Sequence, residues 1–181
     1  MRFLLAAFIS LWLAVPAAAD QKDPRLEGLF ELLRSAPNPA AAQQVEDQIW
    51  RIWLEHPHER TREATLIGIS FMSQGQARLA DLAFKEAIEL SPEFAEAWNK
   101  RATLRYLTGD LEGSIADCAE VLKLEPRHFG ALSGLGLIHM SLEQWDVAAG
   151  WFEQALAVYP QAPGMRQNLE TARRNALGRK T

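Results

Sequence analysis

The fold is decided by residues 92–126, which read PEFAEAWNKRATLRYLTGDLEGSIADCAEVLKLEP. Two stretches of helix-forming sequence meet at Gly109, and a proline stands at each end of the segment. A third proline, Pro160, follows Pro126 by the same 34 residues that separate Pro126 from Pro92. This period indicates stacked helix pairs, because a proline after the second helix of each pair has no backbone donor and ends that helix.

Other positions repeat at the same period, and each has a structural meaning. Two columns hold small residues, which let paired helices approach closely. An aromatic or sulfur-bearing residue follows four positions after the second small one, on the same helical face. A turn column holds glycine in two copies, because glycine tolerates left-handed backbone geometry. These columns predict helix pairs at 61–94, 95–128 and 129–162; their members are Gly68, Ala102 and Gly136; Ala80, Ser114 and Ala148; Phe84, Cys118 and Phe152; Ala87, Val121 and Ala155; and Gly75, Gly109 and Glu143.

These residues resemble the tetratricopeptide repeat (TPR) family. The second unit carries the family's early tryptophan, Trp98, its Gly-Asp turn at Gly109 and its closing proline, Pro126. The stretches 98–103 and 125–136 look like a bacterial subgroup of the family with exported members. The resemblance implies an all-α, right-handed solenoid of antiparallel helix pairs that binds proteins or peptides.

The chain on both sides of the three units has helical patterns as well. Residues 24–60 hold two apolar helical faces separated by Pro37-Asn38-Pro39, which predicts either a degenerate first repeat or an N-terminal helical cap. Residues 163–178 begin with a proline and place apolar residues at helical spacing on one face. They predict a C-terminal capping helix, because the last unit of an array otherwise exposes its stacking face.

The first 19 residues have the pattern of a secretory signal peptide. Arg2 provides a positive charge, residues 3–15 form a short apolar run, and Ala17-Ala18-Ala19 provides the cleavage pattern. A retained membrane anchor is the weaker interpretation, because a helix needs about 20 apolar residues to span a bilayer. Cleavage after Ala19 predicts a periplasmic or secreted protein without a stable membrane anchor. Loss of Arg2 would change the net charge from −4 to −5.

Few residues could carry catalysis or bind a metal. His56 and His58 flank Pro57, but two histidines in a loop that contains proline are more typical of an exposed turn than of a metal site. Cys118 is the only cysteine, so an intramolecular disulfide is excluded and the thiol is expected in the core. A mildly acidic chain without a basic run argues against nucleic acid as a partner. We therefore predict no catalytic residue, no cofactor and no metal.

The resemblance assigns partner binding to the second, fifth, ninth, twelfth and thirteenth residues of each unit, which face the concave wall. These are Arg62, Thr65, Ile69, Met72 and Ser73; Glu96, Asn99, Thr103, Tyr106 and Leu107; and Gly130, Ser133, Leu137, Met140 and Ser141. The set without Ser73, Gly130 and Ser141 is called the predicted groove. Only Arg62 and Glu96 are charged, and Asn99 alone matches the residues with which family members clamp a terminal carboxylate. We expect a semi-apolar groove for an apolar peptide or amphipathic helix, unless neighbouring helices or the N-terminal segment cover part of it.

Two arginines depart from the family pattern. Arg101 and Arg105 occupy first-helix positions at which the resemblance leads us to expect leucine and an aromatic residue. One interpretation buries their stems and pairs their guanidinium groups with a carboxylate, for which Asp117 and Glu125 are the candidates. The other interpretation rotates the helix so that both arginines face solvent.

Three classes of function remain at this stage. The preferred hypothesis is a non-catalytic exported scaffold that binds a peptide segment or an envelope protein in the groove. The alternative is a structural or oligomerisation module of an envelope complex, which would use the convex face or the end helices. The third is an enzyme or metal protein that relies on His56 and His58.

Overall fold

The computed structural model describes residues 20–178, which form nine α-helices and no strand. The all-α class predicted from the sequence is confirmed. The predicted signal peptide lies outside the described residues. No helix within this range combines the length and the hydrophobicity that a membrane span requires. The helices are α1 (Arg25–Ser35), α2 (Pro39–Leu54), α3 (Glu59–Ser73), α4 (Ala77–Leu90), α5 (Ala95–Thr108), α6 (Leu111–Leu124), α7 (Phe129–Ser141), α8 (Trp145–Val158) and α9 (Pro163–Gly178).

Helices α3 to α8 form antiparallel pairs at the three predicted units. Each second helix ends two residues before its column proline. The turn column has positive φ in every unit, 72° at Gly75, 85° at Gly109 and 55° at Glu143. The left-handed turn that the glycines indicated is therefore present even where glutamate replaces glycine.

The array curves so that the first helix of each pair lies on its concave side. Helix α3 contacts α5, α5 contacts α7, and α7 contacts α9, whereas the second helices α4, α6 and α8 make no comparable contacts with one another in the described chain. Helix α9 packs on α8 and α7 with Leu169, Ala172 and Ala176 buried. It thus covers the last unit at the position predicted for the capping helix.

Helices α1 and α2 form the N-terminal hairpin, residues 25–54. Asn38 begins α2 by accepting a hydrogen bond from the Ala41 backbone N–H at 2.9 Å, and proline follows at the first helical position. The principal contacts of the hairpin are with α5 and α8, not with α3. A degenerate repeat stacked before 61, one of the two alternatives for 24–60, is therefore wrong. The apolar face of the hairpin instead packs on the junctions between units, at Phe129, Tyr159 and Ala162.

Candidate protein-binding groove

Helices α3, α5 and α7 carry the predicted groove on the concave side of the array. Two of its residues, Thr65 and Glu96, are buried, so the prediction that they line an accessible surface is wrong. Asn99 is also buried, although it reaches the wall of a cleft. The other members of the predicted groove are exposed or half-buried, namely Arg62, Ile69, Met72, Thr103, Tyr106, Leu107, Ser133, Leu137 and Met140.

The groove therefore has two parts with different accessibility. We call the region of Glu96, Asn99 and Gly130 the closed end. The open end comprises the residues nearer the C-termini of the first helices: Ile69, Met72, Thr103, Tyr106, Leu107, Leu137 and Met140. The closed end lies at the N-termini of α5 and α7, next to the unit junctions, and this is the side on which the N-terminal hairpin packs.

Two tryptophans of α2 cover the closed end. Trp53 is 1% exposed, and its ring stacks on the imidazole of His128. Trp50 meets the same imidazole edge-on, with the ring centroids 5.6 Å apart. A Cβ added at Gly130 would lie 2.7 Å from Cη2 of Trp50, so this position has no room for a larger residue. The sequence signal that was missed is an aromatic pair three residues apart on the apolar face of α2.

Beneath these tryptophans lies a buried carboxylate, Glu96. Nδ1 of His128 accepts a hydrogen bond from the Ala131 backbone N–H at 3.1 Å, which leaves Nε2–H to donate to Glu96 Oε2 at 3.1 Å. Nζ of Lys100 lies 2.7 Å from Oε1, and Nδ2 of Asn99 donates to Oε2 at 3.0 Å. Burial by itself would raise the pKa of Glu96, but Lys100 and His128 outweigh burial and lower that pKa below its ordinary range. The charges of Glu96 and Lys100 therefore neutralise each other inside the protein.

Hydrogen bonds and ion pairs hold the N-terminal segment to all three junctions. Burial, together with the hydrogen bond to Glu46, raises the pKa of Tyr159, so its hydroxyl remains a donor. These contacts are distributed along the hairpin and do not concentrate at one end, which indicates a fixed position on the array. The partners are Gln21 with Glu93 and Ala95, Glu27 with Arg127 at 2.7 Å, Glu46 with Tyr159 at 2.9 Å, and Gln161 with the carbonyl of Ala36 at 3.2 Å.

The two unusual arginines pair with a buried carboxylate in their own unit. Nε and Nη2 of Arg101 donate to the two carboxylate oxygens of Asp117 at 2.8 and 2.7 Å. Nη1 of Arg105 lies 3.0 Å from Oδ2 of Asp117. The prediction that the arginines reach Asp117 is confirmed, whereas Glu125 pairs with Arg127 instead. The hydrogen bonds to Asp117 raise the pKa of Arg101.

A narrow cleft of about 140 Å³ opens at the open end, between α5, α6 and α7. Its lining includes the small or apolar residues Ala102, Cys118 and Ile138, together with the polar Thr103 and Ser133. No lining residue is ionised at neutral pH, since burial raises the pKa of the Cys118 thiol to about 12. The prediction that Cys118 is a buried core residue is confirmed, because it is 2% exposed.

The histidine pair has structural contacts of its own. The ring of His58 accepts a hydrogen bond from the Thr61 backbone N–H and begins α3. His56 packs against Phe94, with ring centroids 4.6 Å apart, and it is buried. The expectation of an exposed turn is therefore wrong at His56. Residues 20–178 contain no group of three or more histidine, cysteine, aspartate or glutamate side chains that could hold a metal ion.

A second depression, about 660 Å³ and wide open, lies on the N-terminal hairpin between α1 and α2. Leu29, Leu32 and Ile52 form its apolar part. The ion pair between Arg25 and Glu55, 2.7 Å long, stands in its wall. This depression is larger than the cleft, but it is lined by none of the concave residues of α3, α5 or α7, so we place the candidate site at the open end of the groove.

Comparisons with known proteins agree with this architecture. The tetratricopeptide repeat model matches residues 65–124 and 119–163. A TPR repeat-containing protein of Rhizobium etli is 30% identical over 165 residues, which cover 91% of this chain and 80% of the relative. Three further relatives are matched over only 18%, 19% and 20% of their own lengths.

Two solved structures show the same fold at low sequence identity. The Sgt2 TPR domain from Aspergillus fumigatus has a TM-score of 0.65 at 19% identity, covering 68% of this chain and 83% of that one. The first TPR of Spaghetti (RPAP3), bound to the HSP90 peptide SRMEEVD, has a TM-score of 0.63 at 18% identity, covering 66% and 94%. At these identities the likeness establishes the arrangement of helices and not the ligand.

Proposed function

This chain belongs to the tetratricopeptide repeat family, and on that premise we propose that it is a non-catalytic scaffold that binds a peptide segment of a partner protein at the open end of its groove. One observation carries the proposal: apolar side chains stay uncovered on the concave side next to an end that the protein has closed. Leu107 is 66% exposed, and Tyr106, Leu137 and Met140 are half-buried beside it. Contiguous exposed apolar groups mark interaction sites.

The charge around the open end favours an uncharged ligand segment. Lys100 is paired with Glu96, and Arg101 and Arg105 are paired with Asp117, so these cations are already neutralised. An acidic peptide such as the SRMEEVD bound by Spaghetti would lose its hydration here without gaining comparable ion pairs. Apolar contact and hydrogen bonds to hydroxyls are what the open end offers instead.

Site-specific photo-cross-linking in cells tests this proposal. A photo-reactive amino acid at Leu107 is expected to trap one partner protein, and the trapped partner is then identified by mass spectrometry. The matched control carries the same group at Leu82, which is also exposed but lies on α4, outside the groove. The proposal fails if Leu107 traps nothing, or if both positions trap the same products.

Charge substitutions provide a second test with the identified partner. Tyr106→Glu and Leu137→Glu place a carboxylate among apolar groups, so each is expected to weaken binding by at least tenfold. Leu82→Glu makes the same change in chemistry outside the groove and is expected to leave the affinity unchanged. Equal loss in all three variants would point to misfolding or to another surface.

We propose that the scaffold acts outside the cytoplasm, in the periplasm or as a secreted protein, because residues 1–19 have the pattern of a signal peptide. Intact-mass measurement of the protein from the envelope fraction tests this localisation. The expected product begins at Asp20. A protein that retains Met1 and remains in the cytoplasmic fraction would contradict export and leave the groove proposal untouched.

A second candidate function is self-association through the start of the array, as in the alternative of an oligomerisation module. The observation that favours it is the exposure of Leu66, Ile67, Leu79 and Leu82 on α3 and α4, which the N-terminal hairpin does not cover. Light scattering across a hundredfold concentration range distinguishes the two functions. A monomer at all concentrations excludes this candidate, whereas a dimer that Ile67→Glu dissociates supports it.

A further inference from the structure

The cleft at the open end comes from one coupled change in the repeat columns. In the first and third units, the rings of Phe84 and Phe152 lie directly against Gly68 and Gly136, and a Cβ added at either glycine would come closer than 3 Å to the ring. The second unit has Ala102 at the glycine position and Cys118 at the phenylalanine position. A phenyl ring cannot pack there in the same way, because the Cβ of Ala102 already occupies the contact.

The replacement leaves space that the protein does not fill. Cys118 is much smaller than phenylalanine, and the neighbouring helix brings only Gly134 to the same place. A Cβ added at Gly134 would meet nothing nearer than Sγ of Cys118 at 3.8 Å, an ordinary van der Waals distance. The 140 Å³ cleft is lined by Ala102, Cys118 and Gly134 and opens toward Thr103 and Ser133. It is thus the volume of a missing ring, accessible from the concave side.

The size and chemistry of the cleft fit one apolar side chain. An apolar cavity of about 150 Å³ accommodates a benzene molecule, so the cleft holds a leucine, isoleucine or phenylalanine side chain. Its lining has no ionised group, and Asn99, Thr103 and Ser133 place an amide and two hydroxyls in its wall. These polar groups match the backbone N–H and C=O groups of an extended segment, which need hydrogen-bond partners when the segment is bound.

We propose that this cleft is an anchor pocket, which selects its ligand by inserting one leucine-, isoleucine- or phenylalanine-sized side chain from an uncharged, extended segment of the partner. The proposal rests on the proposed function, since it names the ligand class of the same groove. The inserted side chain takes the place that phenylalanine occupies in the first and third units, and the adjoining peptide backbone lies along Asn99, Thr103 and Ser133.

Selection from a random dodecamer peptide library, displayed on phage and panned against the purified protein, tests the pocket. The selected peptides are expected to share one apolar residue at a fixed position. Synthetic peptides with that residue replaced by alanine are expected to bind the protein about 10- to 100-fold more weakly, the range for burying one large apolar side chain. Selected peptides that tolerate alanine at every position would overturn the anchor pocket.

Two variants fill the cleft and complete the test. The double variant Ala102→Gly with Cys118→Phe restores the residue pair of the other units, and Gly134→Ala adds one methyl group at an uncrowded position in a helix. Both are expected to fold, as checked by circular dichroism and thermal unfolding. Both are expected to lose affinity for the anchored peptide but not for its alanine derivative, and unchanged affinity for the anchored peptide would overturn the proposal.

Failure of the proposed function gives a different result from failure of the pocket. If the groove binds no peptide, the library yields no enriched sequence, or the enriched peptides bind Tyr106→Glu as well as the unsubstituted protein. If the groove binds peptides without an anchor, the enriched peptides lose affinity on Tyr106→Glu but bind the cleft-filled variants normally. Only the anchor pocket predicts sensitivity to both kinds of substitution.

Discussion

The indole of Trp53 lies flat on the imidazole of His128, with the ring centroids 4.0 Å apart and the planes inclined by 9°. This contact joins α2 to the junction between the second and third units. His128 in turn begins α7 and donates to the buried Glu96. The N-terminal hairpin, the helix start and the buried carboxylate are therefore one structure, and this structure determines which end of the groove remains open.

Trp53→Ala is expected to lower the free energy of unfolding by about 3–5 kcal/mol, because it removes a large buried ring from the contact with His128. Leu32→Ala is the matched control, since Leu32 lies on the same hairpin but is 56% exposed. It is expected to cost less than about 1 kcal/mol. Urea unfolding monitored by circular dichroism measures both values, and similar losses for the two variants would contradict a docked hairpin.

The repeat units could be predicted from the sequence because their signals are local. The spacing of Pro92, Pro126 and Pro160 located the ends of the second helices, and Gly75 and Gly109 located the turns within the pairs. These residues act through backbone conformation and hydrogen bonding at their own positions. Neighbouring residues in the chain are therefore sufficient to detect them.

The closed end of the groove could not be predicted in the same way. Trp53 and His128 are 75 residues apart in the chain, and a period of 34 residues says nothing about where a segment outside the repeats will pack. Glu96 falls on a groove position of its unit, and only the placement of Trp50 and Trp53 shows that the position is buried. The family resemblance could identify the face of α5 but not its accessibility.

The pair of alternatives for Arg101 and Arg105 shows an intermediate case. The sequence identified Asp117 as one candidate partner, because both arginines and this carboxylate belong to the same helix pair. Two candidates remained, since Glu125 lies in the same unit. The structure decides between them because Glu125 is bound by Arg127, whose other partner is Glu27 on the N-terminal hairpin.

Asp117→Asn is expected to destabilise the fold by about 3 kcal/mol, because it leaves Arg101 and Arg105 without the charge that compensates their partial burial. Glu153→Gln is the matched control, since Glu153 pairs with Arg173 at 2.9 Å but both side chains are more than half exposed. This second substitution is expected to cost less than about 1 kcal/mol. Chemical denaturation of both variants measures the difference, and equal effects would mean that Asp117 does not hold the second unit together.

Glu96 is expected to make the stability of the protein depend on pH. Its pKa in the folded state lies below the ordinary 4.5, so the folded state releases the proton more readily than the unfolded chain. The stabilisation is therefore complete above about pH 5.5 and is lost as the pH falls through 4.5 toward the folded-state pKa. Glu96→Gln should be less stable than the unsubstituted protein at pH 7, and this gap should narrow at pH 4.

Urea titrations of both proteins at the two pH values measure the gap. Glu112→Gln serves as the control, because Glu112 is exposed at the start of α6, and its small effect should not change with pH. A gap for Glu96→Gln that stays constant from pH 7 to pH 4 would show that the carboxylate does not stabilise the fold through its charge.

Gly130 and Gly134 give a matched pair of substitutions on α7 with opposite expected effects. Gly134→Ala meets only Cys118 Sγ at 3.8 Å, so the higher helix propensity of alanine should stabilise the protein by about 0.5–1 kcal/mol. Gly130→Ala places a methyl group 2.7 Å from Trp50 and 3.1 Å from the His128 ring. It should therefore destabilise the protein by about 1–3 kcal/mol, as overpacking does. Thermal unfolding measures both effects, and tryptophan fluorescence should change only in Gly130→Ala, because only this substitution displaces Trp50. Stabilisation by both substitutions would mean that Trp50 does not pack on α7.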